Sequence, residues 1–113
     1  MTEDATTTEE KPLDLDRPLY SVGVASEILA SDPLALTIYE GLGLATPRRT
    51  AANHRRYTSR DILGLNAVQR LVRRHGLNLI GARYVIRYLQ LLDAQRIPRP
   101  LELSGIRVEH IRL

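Results

Sequence analysis

Between Leu19 and Pro100 apolar residues recur at helical spacing in four runs, each closed by a residue through which a helix does not readily continue. The first run is Val22, Val24, Ala25, Ile28 and Leu29, with Ser21 as its N-cap and an end near Ala30. A second start follows at once. Asp32 can cap it, and Pro33 suits the first helical position, where its missing N–H costs nothing. Leu36 and Tyr39 then face a core, and Gly41 and Gly43 stop the run. Two short helices joined by a tight turn make a helix-turn-helix candidate. The third run, Ile62, Leu65, Val68, Leu71 and Val72, opens on the Thr58–Asp61 spacing of a capping box and closes at His75-Gly76. The fourth is capped by Asn78 and carries two apolar faces, one of Ala82, Val85, Ile86, Leu89 and Leu92, the other of Tyr84, Tyr88 and Leu91. Ile97-Pro98-Arg99-Pro100 breaks it.

The segment between the second and third runs, residues 45–57, has a different character. Pro47, the polar Thr50-Ala51-Ala52-Asn53 stretch and Tyr57 suit a short β-hairpin or wing, with Asn53 as the residue best able to take a left-handed turn position. From Arg48 to Arg60 there are five arginines and His54, and no acid. Guanidinium is planar, always charged and bidentate to phosphate, so such a stretch points to a polyanion. The plainer reading is a solvated loop with one arginine paired to Asp61. Charge along the chain supports the polyanion: residues 1–17 carry a net −4, and the other 96 carry +7. Fifteen of the 16 basic residues are arginine.

Outside these elements, residues 1–17 lack apolar periodicity and read as a disordered acidic leader. The folded domain is expected over 18–95, with 96–113 as a short tail that could add one strand. The absence of cysteine excludes disulfides, thiolate metal sites and cysteine catalysis. His54, His75 and His110 lie far apart without carboxylates at ligand spacing, so no metal and no other cofactor is expected. Neither a nucleophile elbow nor a glycine-rich phosphate loop is present, which argues against an enzyme. No apolar run approaches about 20 residues and the first ten are acidic and polar, so no membrane association is expected and the default is a cytoplasmic, nucleoid-associated protein.

Several motifs in order carry a resemblance. Tyr39-Glu40-Gly41-Leu42-Gly43-Leu44 resembles the Tyr-Glu-x-x-Gly-Leu of MerR-type winged helix-turn-helix regulators. Pro47-Arg48-Arg49-Thr50 and Arg55-Arg56-Tyr57 are similar to that family's Pro-x-Arg-Thr and Arg-x-Tyr wing signatures. Asp61 and Leu65 stand at its positions after the wing, and Gly76-Leu77-Asn78-Leu79-Ile80-Gly81 resembles a run of its heat-shock-repressor (HspR) branch. The resemblance spans roughly residues 19–92. It implies a mainly α fold with a short β-wing and two longer C-terminal helices. It also implies a homodimer on double-stranded DNA, acting as a sequence-specific regulator that represses stress genes.

By that resemblance Arg49 and Arg55 contact phosphates on either side of an exposed wing, and Arg48 and Arg56 add field. Thr37, Tyr39 and Tyr57 are further candidates for the DNA backbone, against simple exposure for Thr37, core packing for Tyr39 and wing anchoring for Tyr57. The family's Leu-Arg-x-Tyr-Glu is here Leu36-Thr37-Ile38-Tyr39-Glu40, so its arginine is replaced by Thr37. Leu34, Ala35 and Ile38 leave the second helix few hydrogen-bonding side chains. Two alternatives therefore stand beside the regulator: a helix-turn-helix-derived protein-interaction module, and an architectural or excisionase-like DNA binder. The Tyr84-Tyr88-Leu91 stripe is either a dimer or partner surface or the packing site of residues 101–113. No room is expected for a ligand-binding domain.

Overall fold

The computed structural model describes residues 14–113. It contains β1 (Tyr20–Ser21), α1 (Val22–Ile28), α2 (Pro33–Gly41), β2 (Arg48–Arg49), β3 (Arg55–Tyr57), α3 (Ser59–Arg73), α4 (Leu79–Ala94) and a single 3-10 turn at Leu101–Leu103. This is a mainly α winged helix-turn-helix, as the resemblance implies.

Each helix starts on a local signal. Ser21 Oγ accepts from the Val24 N–H at 3.2 Å, and Asp32 Oδ1 from Leu34 N–H at 2.8 Å. Asn78 Oδ1 accepts from Gly81 N–H at 2.7 Å. Thr58 and Asp61 form a reciprocal box, with both side-chain-to-backbone bonds at 3.0 Å. These bonds satisfy donors that a helix start leaves open. The chain bends by 97° between α1 and α2, within the range of helix-turn-helix units. Gly43 and Gly76 close α2 and α3 at φ +76° and +71°, conformations that cost a side-chain-bearing residue more.

The sheet has the order β1-β3-β2, antiparallel throughout. Tyr20 faces Tyr57 and Ser21 faces Arg56; Arg48 faces Arg56 and Arg49 faces Arg55. The β2–β3 turn is closed by Asn53 N–H on Thr50 O and Thr50 N–H on His54 O, both 2.8 Å, with Asn53 at φ +67°. The core draws Ala25 and Leu29 from α1, Leu36 and Tyr39 from α2, Tyr57 from the wing, Leu65, Val68 and Leu71 from α3, and Ala82, Ile86 and Leu89 from α4.

Both ends of the domain differ from the sequence expectation. Of the expected leader, residues 1–13 lie outside the described residues, but 14–17 lie against the start of α3. There Arg60 N–H donates to Leu15 O at 3.0 Å and Arg60 Nε to Asp16 Oδ1 at 2.9 Å. Residues 101–113 form no strand. They wrap the domain and bury Ile106, Val108 and Ile111 in the same core. Side chains rather than a neighbouring strand satisfy their carbonyls. Arg70 Nη1 donates to Gly105 O at 3.0 Å, and Gln90 Nε2 donates to Val108 O at 3.2 Å and Ile111 O at 2.8 Å. Arg87 Nη1 donates to Leu113 O at 3.0 Å and Arg99 Nη1 to Leu103 O at 2.9 Å. The segment crosses α3 at Gly64, where a Cβ would lie 2.9 Å from Ile111 Cγ1 and 3.3 Å from His110 O. The alternation of Ile106 and Val108 thus reports burial of an irregular segment, not sheet pairing.

Candidate nucleic-acid interface

The strand register sorts the wing arginines into two pairs. Because directly opposed residues share a face of an antiparallel ladder, Arg49 and Arg55 lie on one side and Arg48 and Arg56 on the other. The first pair brackets one carboxylate. Glu40, near the end of α2, has Oε2 3.5 Å from Arg49 Nη2 and Oε1 3.4 Å from Arg55 Nη1. The acid missing from the Arg48–Arg60 stretch therefore arrives from α2. Asp61 is engaged in the capping box instead. Glu40 ties the wing to the second helix of the helix-turn-helix, so the two cannot shift independently without breaking ion pairs. Its place beside Tyr39, in the motif that carries the resemblance, was the sequence signal for this contact.

The two arginines are not equivalent. The Arg49 side chain is 48% exposed, but that of Arg55 is only 16% exposed. Arg55 Nη1 also donates to the Tyr57 hydroxyl at 3.1 Å. Tyr57 is fully buried, and burial holds its phenol above the usual range, so the hydroxyl remains a neutral acceptor. Of the two roles open to Tyr57, its full burial favours the anchor of the wing. Arg55 is a largely buried brace as well as a cation. Tyr39 is likewise buried in the core.

Arg48 is exposed and Arg56 half-buried, its Nη1 donating to Arg55 O at 3.1 Å. A concavity lies between the wing and the start of α1, lined by Gly23, Arg49, Asn53, Arg55 and Arg56. Arg48 lines a different hollow, beside Arg60. On α2, Thr37 is exposed between Leu34 and Ile38, which are exposed as well. The outward face of this helix is thus mostly apolar. On α4, Tyr84, Tyr88 and Leu91 are 72%, 66% and 54% exposed, so the C-terminal segment does not cover them. Tyr84 and Tyr88 border an apolar groove with Val85, Leu92 and Leu103.

Not all of the positive charge faces outward. Arg73 Nη2 donates to Ala30 O just past α1, and Arg83 Nε to Leu42 O at the end of α2, both at 3.0 Å. With Arg70, Arg87 and Arg99 they serve backbone carbonyls. A guanidinium can do this and remain charged, which gives a structural reason for arginine's predominance over lysine. Among the described residues no three His, Asp or Glu side chains cluster in a metal-holding arrangement. No single helix among them is long and apolar enough to cross a membrane.

Two short helices at a steep angle, a β-wing braced to the second of them, and a pair of longer helices behind define a winged helix-turn-helix domain. The family model described as "MerR HTH family regulatory protein" matches residues 20–89. The chain is also 42% identical over 90 residues to a Streptomyces coelicolor protein named "Putative heat shock protein HspR". That alignment covers 80% of this chain and 59% of the relative's length. The chain belongs to the MerR family of helix-turn-helix regulatory proteins, and it is HspR-like.

Proposed function

We propose that this protein is a DNA-binding transcriptional regulator that represses its targets by binding a specific operator as a homodimer. The observation that carries the reading is the Glu40 bridge. One carboxylate between two guanidiniums leaves the cluster net positive and fixes the wing relative to α2. A preset spacing between a groove-entering helix and a phosphate-binding wing is what duplex DNA requires. In this reading Arg49 and Arg55 meet the phosphates that flank the wing. Arg48 and Arg56 add to the attracting field, and Thr37 lies where α2 meets the groove. Tyr39 and Tyr57 act from the core, by holding α2 and β3. Similarity to a protein named for heat shock supports stress genes as the targets. The role is binding rather than catalysis, without a cofactor, on the nucleoid in the cytoplasm.

Selection of bound fragments from random duplex DNA tests this. A consensus with two inverted half-sites is the expected result, because operator symmetry mirrors the two-fold symmetry of a dimer. Binding without a consensus would instead make the protein an architectural binder. Failure to retain any DNA would favour the protein-interaction reading, which has its own support in the exposed Leu34 and Ile38 and in the groove beside Tyr84 and Tyr88.

A further inference from the structure

A second concentration of positive charge lies apart from the Glu40 cluster. Arg48 from the wing, Arg60 from the first turn of α3, and His110 and Arg112 from the C-terminal segment line one polar hollow, together with Asp16 and Asp61. Asp61 is held by the backbone N–H of Thr58. Asp16 reaches the hollow from the N-terminal side, and its Oδ1 accepts from Arg60 Nε at 2.9 Å. That hydrogen bond, with the fields of Arg60, Arg112 and Arg48, keeps its carboxyl below the usual carboxylate range although it is exposed. The His110 side chain is only 9% exposed, and its Nδ1 lies 3.3 Å from Arg60 Nη1. A guanidinium can only donate, so Nδ1 accepts and the ring proton is on Nε2. That Nε2 is buried and has no hydrogen-bond partner among the described residues.

Three guanidiniums line one concavity with two carboxylates, of which Asp61 is engaged in its capping box and Asp16 alone pairs with a guanidinium, and this is the chemistry of an oxyanion site. We propose that this hollow binds a phosphate group, and that Asp16 occupies it as an internal stand-in which an external phosphate displaces. The C-terminal segment supplies the base of the site, which gives its last residues a role beyond packing. The N-terminal segment acts as the competitor. The phosphate could be carried by the DNA backbone beyond the wing or by a free phosphorylated compound, and the same chemistry serves both.

The test uses the full chain and inorganic phosphate, titrated calorimetrically. Asp16→Asn removes the competing charge and should tighten phosphate binding about tenfold, the scale of one charge-assisted hydrogen bond. Adding Arg112→Gln to that variant should reverse the gain, and Arg112→Gln alone should weaken binding relative to the parent. Thermal melts of each protein confirm that it is folded. Equal phosphate affinity in all four proteins overturns the proposal, as does a gain in Asp16→Asn that survives the loss of Arg112. The source is then separated by a salt titration on random-sequence duplex. A slope steeper by about 1 per protomer in Asp16→Asn assigns the site to the DNA backbone, and an unchanged slope beside tighter phosphate binding assigns it to a free phosphate compound. The phosphate titration needs no DNA, so it stands or fails independently of the DNA-binding reading.

Discussion

Arg49 and Arg55 look alike in the sequence, one on each arm of the wing, but burial separates them. Arg55 serves Glu40 and the Tyr57 hydroxyl from a position only 16% exposed. Arg55→Ala strips a donor from a buried phenol and should cost about 1–2 kcal/mol of stability, read from denaturant melts. Arg49→Ala removes a half-exposed cation whose one ion pair is long, and should leave the melt within about 0.5 kcal/mol. Both should weaken binding to every DNA sequence by a similar factor, because phosphate contacts carry no sequence information. Each should also lower the salt slope by about 1 for each wing engaged. A melt that drops equally for both variants would show that Arg49 is also a brace. An unchanged slope for Arg49→Ala would remove that side chain from the DNA. The sequence could not make this distinction, because the environment of Arg55 on β3 includes a carboxylate 15 positions away on α2.

At the scale of elements, what is local was legible and what is long-range was not. Ser21, Asp32, Thr58 with Asp61, and Asn78 each cap the helix their spacing announces, because a cap needs only its own first turn. Asn53 takes the left-handed turn for the same reason. The C-terminal segment escaped, because its burial depends on Gly64 and on Arg70, Arg87 and Gln90, all distant in sequence. Gly64 itself was the available signal: glycine inside a helix costs about 1 kcal/mol against alanine unless something needs the space. Gly64→Ala should therefore destabilise by about 1–3 kcal/mol, against its helix propensity, since the added methyl meets Ile111 and the His110 carbonyl. A rise in melting temperature would mean that the segment gives way freely. The other element-scale expectation concerns α2. With Leu34, Thr37 and Ile38 outward, the base readout proposed for α2 would rest mainly on contact with thymine methyl groups in the major groove. Replacing thymine by uracil in a selected half-site should cost about 0.8 kcal/mol, or about fourfold in affinity, per methyl touched. Indifference to the replacement at every position would exclude α2 from the readout.

For the whole molecule, the question is what covers the outer face of α4. Tyr84, Tyr88 and Leu91 remain exposed after the C-terminal segment has packed elsewhere, and Tyr84 and Tyr88 border an apolar groove. Exposed large apolar side chains grouped on one helix face beside such a groove mark a contact site more often than a free one. The face is carried by α4, and none of its residues lines the hollows beside the wing arginines, so pairing through it would leave both wings available to DNA. A self-interface here predicts that Tyr88→Glu yields a folded monomer, because a charge is tolerated on a free surface but not in an apolar contact. Sedimentation should show a dimer for the parent at micromolar concentration and a monomer for the variant, with melts that differ mainly through the lost association. Affinity for an inverted repeat should fall steeply in Tyr88→Glu, and its salt slope should drop to about half, because one wing set then releases counterions where two did before. Affinity for a single half-site should be nearly unchanged, which separates lost pairing from a damaged DNA face. If the parent sediments as a monomer even at high concentration, the α4 face belongs to a different partner. The two-fold operator would then have to be read by two chains that meet only on the DNA.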